Sequence, residues 1–164
     1  MTPPLPEALG PLPQQGKTFG YVAESGFAPT CERTHGWAPT GQKVYGLRSG
    51  HRRPRTSLLA AQTGKRLRTA GLFEGTCNTA IFNAWLEQEL CPLLNGDCVV
   101  VIDNAACHKA HKTRSLIEST GAILLFLPPY SPDLMPIEKT FGNIKRARAF
   151  HNSMTLEDIV KMFY

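Results

Sequence analysis

The sequence predicts an α/β fold in which a mixed central sheet is flanked by helices. The first observation is the run Val99-Val100-Val101-Ile102, four β-branched residues in succession, which is typical of a strand covered on both faces. The second is the alternation of strand-like segments with segments whose apolar residues recur at helical spacing. A chain of 164 residues is long enough to bury a sizeable core, so we expect a single main domain.

Composition narrows the class of protein. The net charge of +5 favours a polyanionic partner, although charge alone does not distinguish nucleic acid from an acidic surface. The five cysteines are odd in number and include no Cys-x-x-Cys pair, which argues against a disulfide framework and a structural zinc site. No apolar run has the length of a membrane span and the N-terminus lacks a signal-peptide pattern, so we expect a cytoplasmic protein without a membrane partner.

The N-terminal part is predicted to be a leader followed by strands. Residues 1–16 carry five prolines and little periodicity, which predicts a flexible leader or linker before a domain spanning residues 17–164. Four extended segments follow, rich in apolar or β-branched residues and bounded by turns. They are Thr18–Val22 with a continuation through residues 23–27, Gln42–Leu47, Ser57–Gln62, and Thr69–Phe73 as a further strand or extension.

Helices are predicted mainly in the second half of the chain, with a further buried strand at Ile123–Leu127. Three of them are amphipathic: Thr79–Leu94, Lys109–Thr120, and Pro136 to about Phe150. Asn78 or Thr79 can cap the first, and Pro136 can begin the third at its N1 position. A capping-box pattern at Thr155 opens a last helix that stops at Tyr164 after barely two turns, so we expect a chain cut short at this end.

Two acids are placed where chemistry is expected. Asp103 directly follows the buried strand, at the carboxyl end where open α/β sheets place their ligands. Glu138 lies in the first turn of the third predicted helix. Carboxylates brought together would repel each other, and a divalent metal removes that repulsion. Paired Mg²⁺ ions about 4 Å apart are a common device for phosphodiester chemistry, so Asp103 and Glu138 are candidate metal ligands.

A longer motif surrounds these acids. Asp103-Asn104-Ala105 is followed by His108, and after 34 intervening residues Glu138 ends the stretch Pro-Pro-Tyr-Ser-Pro-Asp-Leu-Met-Pro-Ile-Glu. The motif resembles the catalytic core of the DDE transposases, most closely the bacterial insertion-sequence branch of the mariner-like superfamily. Met135 stands where that family usually has Asn, and Phe141 where it usually has Trp. Neither departure touches a metal ligand.

The resemblance implies both a fold and a reaction. The fold is RNase H-like, and the reaction is metal-dependent DNA cleavage and strand transfer at transposon ends, with two Mg²⁺ or Mn²⁺ ions. Asn104 and His108 would support the catalytic acids from a second shell. Double-stranded DNA would be the partner, bound by a homodimer in the bacterial nucleoid. The family's N-terminal helix-turn-helix region has no counterpart in this sequence, so we expect the catalytic part alone.

One position departs from the family where it matters for catalysis. The resemblance implies an Asp as the first member of the catalytic triad, and this sequence has Ala23 there. Glu24 does not simply substitute, because neighbouring residues on a strand point to opposite faces. We therefore expect a catalytic domain that is inactive as written. The alternative is a remnant that acts only as a DNA-binding or interaction module. A host RNase H-like nuclease is disfavoured by the proline-rich loop.

Two basic groups are candidate phosphate contacts. Arg52, Arg53 and Arg55 lie on a predicted loop between strands, and Lys145 and Arg146 follow Glu138 on the third helix. A helix that supplies a metal ligand from its first turn and carries basic residues beyond it could lie along a DNA backbone. The alternative of a solvated basic surface remains open for both groups.

Overall fold

The computed structural model describes residues 16–28, 38–43, 45, 54–105, 108, 110–128 and 131–164. These residues form a five-stranded sheet in the order β3-β2-β1-β4-β5. The strands are β1 (Thr18–Phe27), β2 (Thr56–Thr63), β3 (Arg66–Glu74), β4 (Cys98–Ile102) and β5 (Ile123–Phe126). β1 is antiparallel to β2 and parallel to β4, while β3 and β5 extend the sheet on either side. The mixed sheet predicted from the sequence is confirmed.

In the described part of the chain, four α-helices accompany the sheet: α1 (Thr79–Trp85), α2 (His111–Glu118), α3 (Pro136–Phe150) and α4 (Leu156–Lys161). Their starts follow the local signals. Asn78 caps α1, since its Oδ1 accepts a hydrogen bond from the Ile81 N–H at 2.9 Å. Thr155 caps α4 by accepting one from the Asp158 N–H at 3.2 Å. Pro136 begins α3, where a missing N–H costs no hydrogen bond.

The first predicted helix is less regular than its periodicity indicates. After Trp85 the chain continues as a π-helical turn at Leu86–Leu90 and a 3₁₀ turn at Cys91–Leu93. Pro92 has no N–H to donate and its ring crowds the preceding turn, so the α-helical hydrogen-bond pattern does not extend to Leu94. The predicted helix at Thr79–Leu94 is therefore confirmed as helical to Leu93. It is an α-helix only as far as Trp85, and the prediction of one regular helix is wrong beyond that residue.

The strand predicted at Gln42–Leu47 is wrong for the described residues of that segment. Gln42, Lys43 and Tyr45 are not in a strand, and the Tyr45 side chain is 87% exposed. Both edges of β1 are already occupied by β2 and β4, which leaves no position beside it. The leader predicted at residues 1–16 lies outside the described residues except for Gly16. No helix in the described part of the chain is long and apolar enough to cross a membrane.

Two apolar layers cover the faces of the sheet, because strand residues alternate between the faces. Val99 and Val101 of β4 belong to one layer, and Val100 and Ile102 to the other. The first layer contains the inner face of α3 and part of α4, and we call it the α3 layer. The second contains α1 with its π-helical extension and part of α2, and we call it the α1 layer. The sheet is therefore covered on both sides, as the β-branched run predicts.

Candidate active site

Ala23 and Asp103 lie side by side at one end of the parallel strand pair. The last paired residues of β1 and β4 are Val22 and Ile102, so the next positions are Ala23 and Asp103. Neighbouring strands are about 4.8 Å apart, which brings the two backbones well within reach of one shared metal site. Ala23 belongs to the α3 layer with Val101, and alternation directs Asp103 towards the same side. The Ala23 side chain is only 2% exposed.

Asp103 is held by its own loop. Nδ1 of His108 lies 2.5 Å from Oδ1 of Asp103, and the Ala105 N–H donates to the same oxygen at 3.3 Å. Burial disfavours the ionised form, but the hydrogen bond and charge of His108, together with the Ala105 N–H, outweigh it and hold the pKa of Asp103 below its ordinary value. His108 is buried and packs on Phe82 with ring centroids 4.2 Å apart. Asn104 follows Asp103 and is half-buried.

Glu138 approaches the same end of the sheet from the helix side. It lies in the first turn of α3, as predicted, where the helix dipole favours a carboxylate. Partial burial raises the pKa of Glu138; Lys145 opposes the rise, and the negative charge of Asp103 adds to it. Glu138 is therefore close enough to Asp103 for its pKa to be raised by the negative charge of that residue. Such repulsion is the electrostatic property expected of two ligands for one cation.

A buried hydrogen bond fixes the start of α3 against the sheet. The Thr140 hydroxyl donates to Oε1 of Gln62 on β2 at 2.6 Å, and Nε2 of Gln62 donates to the Gly64 carbonyl at 2.8 Å. Thr140 is two residues beyond Glu138, so this contact restrains the helical turn that carries the acid. Sequence reasoning missed the pair because its members are 78 positions apart and neither has a local signature.

Glu24 points away from the candidate site. Its partner on β2 is Leu59, a residue of the α1 layer, whereas the partner of Ala23 is Ala60 in the α3 layer. Nη2 of Arg55 lies 3.5 Å from a Glu24 carboxylate oxygen. The Arg55 side chain also fills the space above Gly26, since an added Cβ there would clash with the guanidinium. Arg55, a candidate phosphate contact, thus has an acidic partner within the chain.

The basic residues of α3 cluster around an aromatic ring that the sequence did not single out. Nζ of Lys145 lies 5.5 Å and Cζ of Arg148 6.0 Å from the ring centroid of Phe27, at the end of β1. Arg148 also donates to the Ala28 carbonyl at 2.7 Å. Arg146 is exposed. Arg52 and Arg53 lie outside the described residues.

The donor set suits a hard divalent cation only in part. Asp103 and Glu138 offer carboxylate oxygens, the ligands that Mg²⁺ prefers. The hydrogen bonds from Ala105 and His108 both fall on Oδ1 of Asp103, and the side chain is 49% exposed, so Oδ2 is accessible to a cation. Ala23 contributes no ligand, and the described residues contain no group of three or more His, Cys, Asp or Glu that could hold a metal. Two carboxylates fit one weakly held ion better than a pair.

The chain is similar to known proteins in sequence and in fold. A family model for the DDE superfamily endonuclease domain matches residues 19–159. The human histone-lysine N-methyltransferase SETMAR is 33% identical over 69 residues, which are 40% of this chain and 10% of that protein. The Mos1 transposase paired-end complex with left transposon end superimposes with a TM-score of 0.65 at 19% identity. The mariner Mos1 paired end complex with Mg gives a TM-score of 0.63 at 20% identity.

The chain spans about half the length of the Mos1 transposase chains. The first match covers 87% of this chain and 46% of the other, and the second covers 95% and 50%. At these identities the likeness shows the fold alone. That fold, a mixed five-stranded sheet with helices on both faces, is the RNase H-like fold predicted from the sequence.

Proposed function

This chain belongs to the DDE superfamily endonucleases, and from that membership we propose that it is the catalytic domain of a mariner-like transposase. The observation that carries the proposal is the placement of Asp103 beside Ala23 on one face of the sheet, with Glu138 brought to the same end by α3. The reaction would be DNA strand cleavage and strand transfer at transposon ends. The domain would span residues 17–164, after a leader at residues 1–16.

Asp103 and Glu138 would hold Mg²⁺ or Mn²⁺, and one of the similar Mos1 structures is a complex with Mg. The ions would supply an activated oxygen nucleophile and stabilise the leaving oxygen. The chain's own residues do the positioning. His108 keeps Asp103 ionised and restrains its carboxylate, and Gln62 with Thr140 keeps the turn that carries Glu138 against β2. Asn104 and His108 would form the supporting shell.

Ala23 leads us to propose that the chain is inactive as written. Two carboxylates leave a metal pair under-ligated, and a reacting group misplaced by about 1 Å can lose roughly a hundredfold in rate. Glu24 is no replacement, because it lies towards the other layer and pairs with Arg55. The same observation favours a second candidate function, a remnant that retains the fold and a basic surface and acts as a DNA-binding or interaction module.

Four further proposals, on the partner, the oligomeric state, the family branch and the location, rest on the resemblance and on the positive net charge. We propose double-stranded DNA as the partner, a homodimer as the DNA-bound form, and membership in the bacterial insertion-sequence branch, with the protein in the cytoplasm at the nucleoid. Arg52, Arg53, Arg55, Lys145 and Arg146 are the proposed phosphate contacts. Supporting this set, Arg146 is exposed and Lys145 stands on the same helix as Glu138.

The test restores the missing acid. The parent chain, Ala23→Asp and Ala23→Asp/Asp103→Asn are assayed for nicking of supercoiled plasmid DNA and of a transposon-end duplex, with Mg²⁺ or Mn²⁺. We expect nicking from Ala23→Asp alone. If Ala23→Asp binds DNA and folds but never nicks it, the binding-module function is favoured. Robust nicking by the parent chain that Asp103→Asn abolishes would refute the proposed inactivity.

A further inference from the structure

A cavity of about 180 Å³ lies in the α1 layer, away from the candidate active site. Its floor is formed by the first halves of two strands, including Gly20 and Val22 of β1 and Cys98 of β4. Leu90 and Leu94 cover it from the end of the helical segment after α1. Cys98 begins β4 and Asp103 follows its end, so about five residues of strand, roughly 16 Å, separate the two sites.

Two features of the chain keep this space open. Gly20 has no side chain, and a Cβ placed there would meet nothing nearer than the Val99 carbonyl oxygen at 3.9 Å. Ala61, which faces the cavity from β2, is also small. Above them the helix widens into the π-helical turn at Leu86–Leu90, a feature that in other proteins frequently accompanies a functional site.

Among the described residues that line the cavity, Arg68 is the one cation. The register of β2 with β3 passes from Ala61–Thr69 to Gln62–Leu67, so Arg68 is the extra residue of a β-bulge. A bulge re-aims the side chain of its extra residue, and Arg68 lines the cavity while remaining exposed. None of the ion pairs found among the described residues involves Arg68. The hydroxyl-bearing residues Thr18 and Thr63 line the cavity as well.

We propose that this cavity binds a small amphiphilic carboxylate, with its apolar body between the sheet and Leu90 and its carboxylate on Arg68. The apolar lining suits a hydrocarbon body, and a cavity near 150 Å³ is known to admit benzene, so one aromatic ring fits. The guanidinium supplies a charge-assisted, bidentate contact to the head group. The site is independent of the proposed DNA chemistry.

Phenylacetate is a suitable probe, with phenylacetamide as its neutral match. We expect titration of the ¹⁵N-labelled full chain to give saturable amide shifts at Gly20, Val22 and Leu94. Phenylacetamide should bind at least tenfold more weakly, because a hydrogen bond to a charged group is worth about one to two orders of magnitude in affinity. The proposal is overturned if the shifts do not saturate or if they centre on Asp103. It is also overturned if phenylacetamide binds as tightly as phenylacetate.

Two kinds of variant test separately the contribution of the Arg68 charge and the contribution of the cavity space to binding. Arg68→Gln should weaken phenylacetate binding at least tenfold, whereas Arg66→Gln, an exposed arginine on the same strand outside the lining, should leave it unchanged. Gly20→Val should block binding by filling the space. Should that variant unfold, Ala61→Val provides the same occlusion from β2. Equal affinity in Arg68→Gln and Arg66→Gln, or binding retained in a folded filled variant, contradicts the assignment.

Discussion

The imidazole of His108 and the carboxylate of Asp103 are joined by a 2.5 Å contact between Nδ1 and Oδ1, just beyond the end of β4. One partner is buried and packed on Phe82, and the other is half-exposed, so the histidine acts as a fixed support for an acid that faces solvent. Outer partners of this kind commonly orient metal-binding carboxylates.

His108→Phe keeps a ring against Phe82 but removes the hydrogen bond. Because the burial of Asp103 remains while its stabilising partner is lost, the pKa of Asp103 should rise, which a ¹³C-detected pH titration measures. A folded-state pKa below the unfolded value stabilises the protein above that unfolded value, near 3.8, and the stabilisation is lost as the pH falls through the folded pKa. Because solvent screens the half-exposed carboxylate, the parent should exceed the variant in free energy of unfolding by about 0.5–1 kcal/mol at pH 7, with a smaller gap below pH 3.8.

His111→Phe is the control for this experiment, since His111 is exposed on α2 and makes no contact with Asp103. It should leave the pKa of Asp103 unchanged. An unaltered pKa in His108→Phe would mean that the Ala105 N–H suffices to hold the acid.

Ala23→Asp should make folding dependent on a divalent cation. The new carboxylate replaces a side chain that is 2% exposed, so without metal we expect a loss of about 1–3 kcal/mol in the free energy of unfolding. Mg²⁺ at about one hundred times its Kd should restore roughly 2.7 kcal/mol. Urea denaturation with and without Mg²⁺ measures both effects.

Ala61→Asp is the matched control, because Ala61 is equally buried but lies in the α1 layer. It should be destabilised with no recovery in Mg²⁺. Equal recovery in the two variants would indicate general ion effects, and no recovery in Ala23→Asp would remove Ala23 from the metal site.

Thr140→Val should destabilise the chain by about 1–3 kcal/mol, because Oε1 of Gln62 is left buried without its donor. Gln62→Leu combined with Thr140→Val should cost less than the sum of the two single changes. A double-mutant cycle on urea denaturation gives the coupling, expected at about 0.5–3 kcal/mol. Strict additivity would show that the contact contributes little to holding α3.

Lys145→Ala and Arg146→Ala should each weaken binding to duplex DNA, and the loss of affinity should be the same for every DNA sequence. Each should reduce the slope of log K against log salt by about 0.9 if it removes one phosphate contact. Fluorescence anisotropy across a salt series measures the slope. Lys112→Ala, an exposed lysine on α2, is the control and should leave it unchanged. Unchanged slopes in all three would return Lys145 and Arg146 to the solvated-surface alternative.

Sequence signals within single elements predicted the strand and the helix that carry the two acids of the candidate site. The β-branched run located β4, Pro136 located the start of α3, and Asp103 and Glu138 therefore fell at a strand end and in a first helical turn. These features depend on residues within one element, which is why the sequence reveals them.

Contacts between segments that are distant in the sequence could not be predicted from such signals. The Gln62–Thr140 hydrogen bond, the Lys145–Phe27 contact and the Glu24–Arg55 pair each need the sheet order before they can be recognised. The strand expected at Gln42–Leu47 failed for the same reason, because local alternation does not reveal whether a neighbouring strand position is free.

The sheet order also determines when the candidate site can exist during synthesis. The β2–β3 hairpin closes over the two-residue turn Gly64-Lys65 and can form within microseconds. The β1–β4 pair joins residues as far apart as Thr18 and Cys98, so a much longer loop must close first. α3 follows later still in the chain. A nascent chain that ends before residue 136 therefore leaves the face of Val99 and Val101 without its helix, and in that interval it is prone to aggregate.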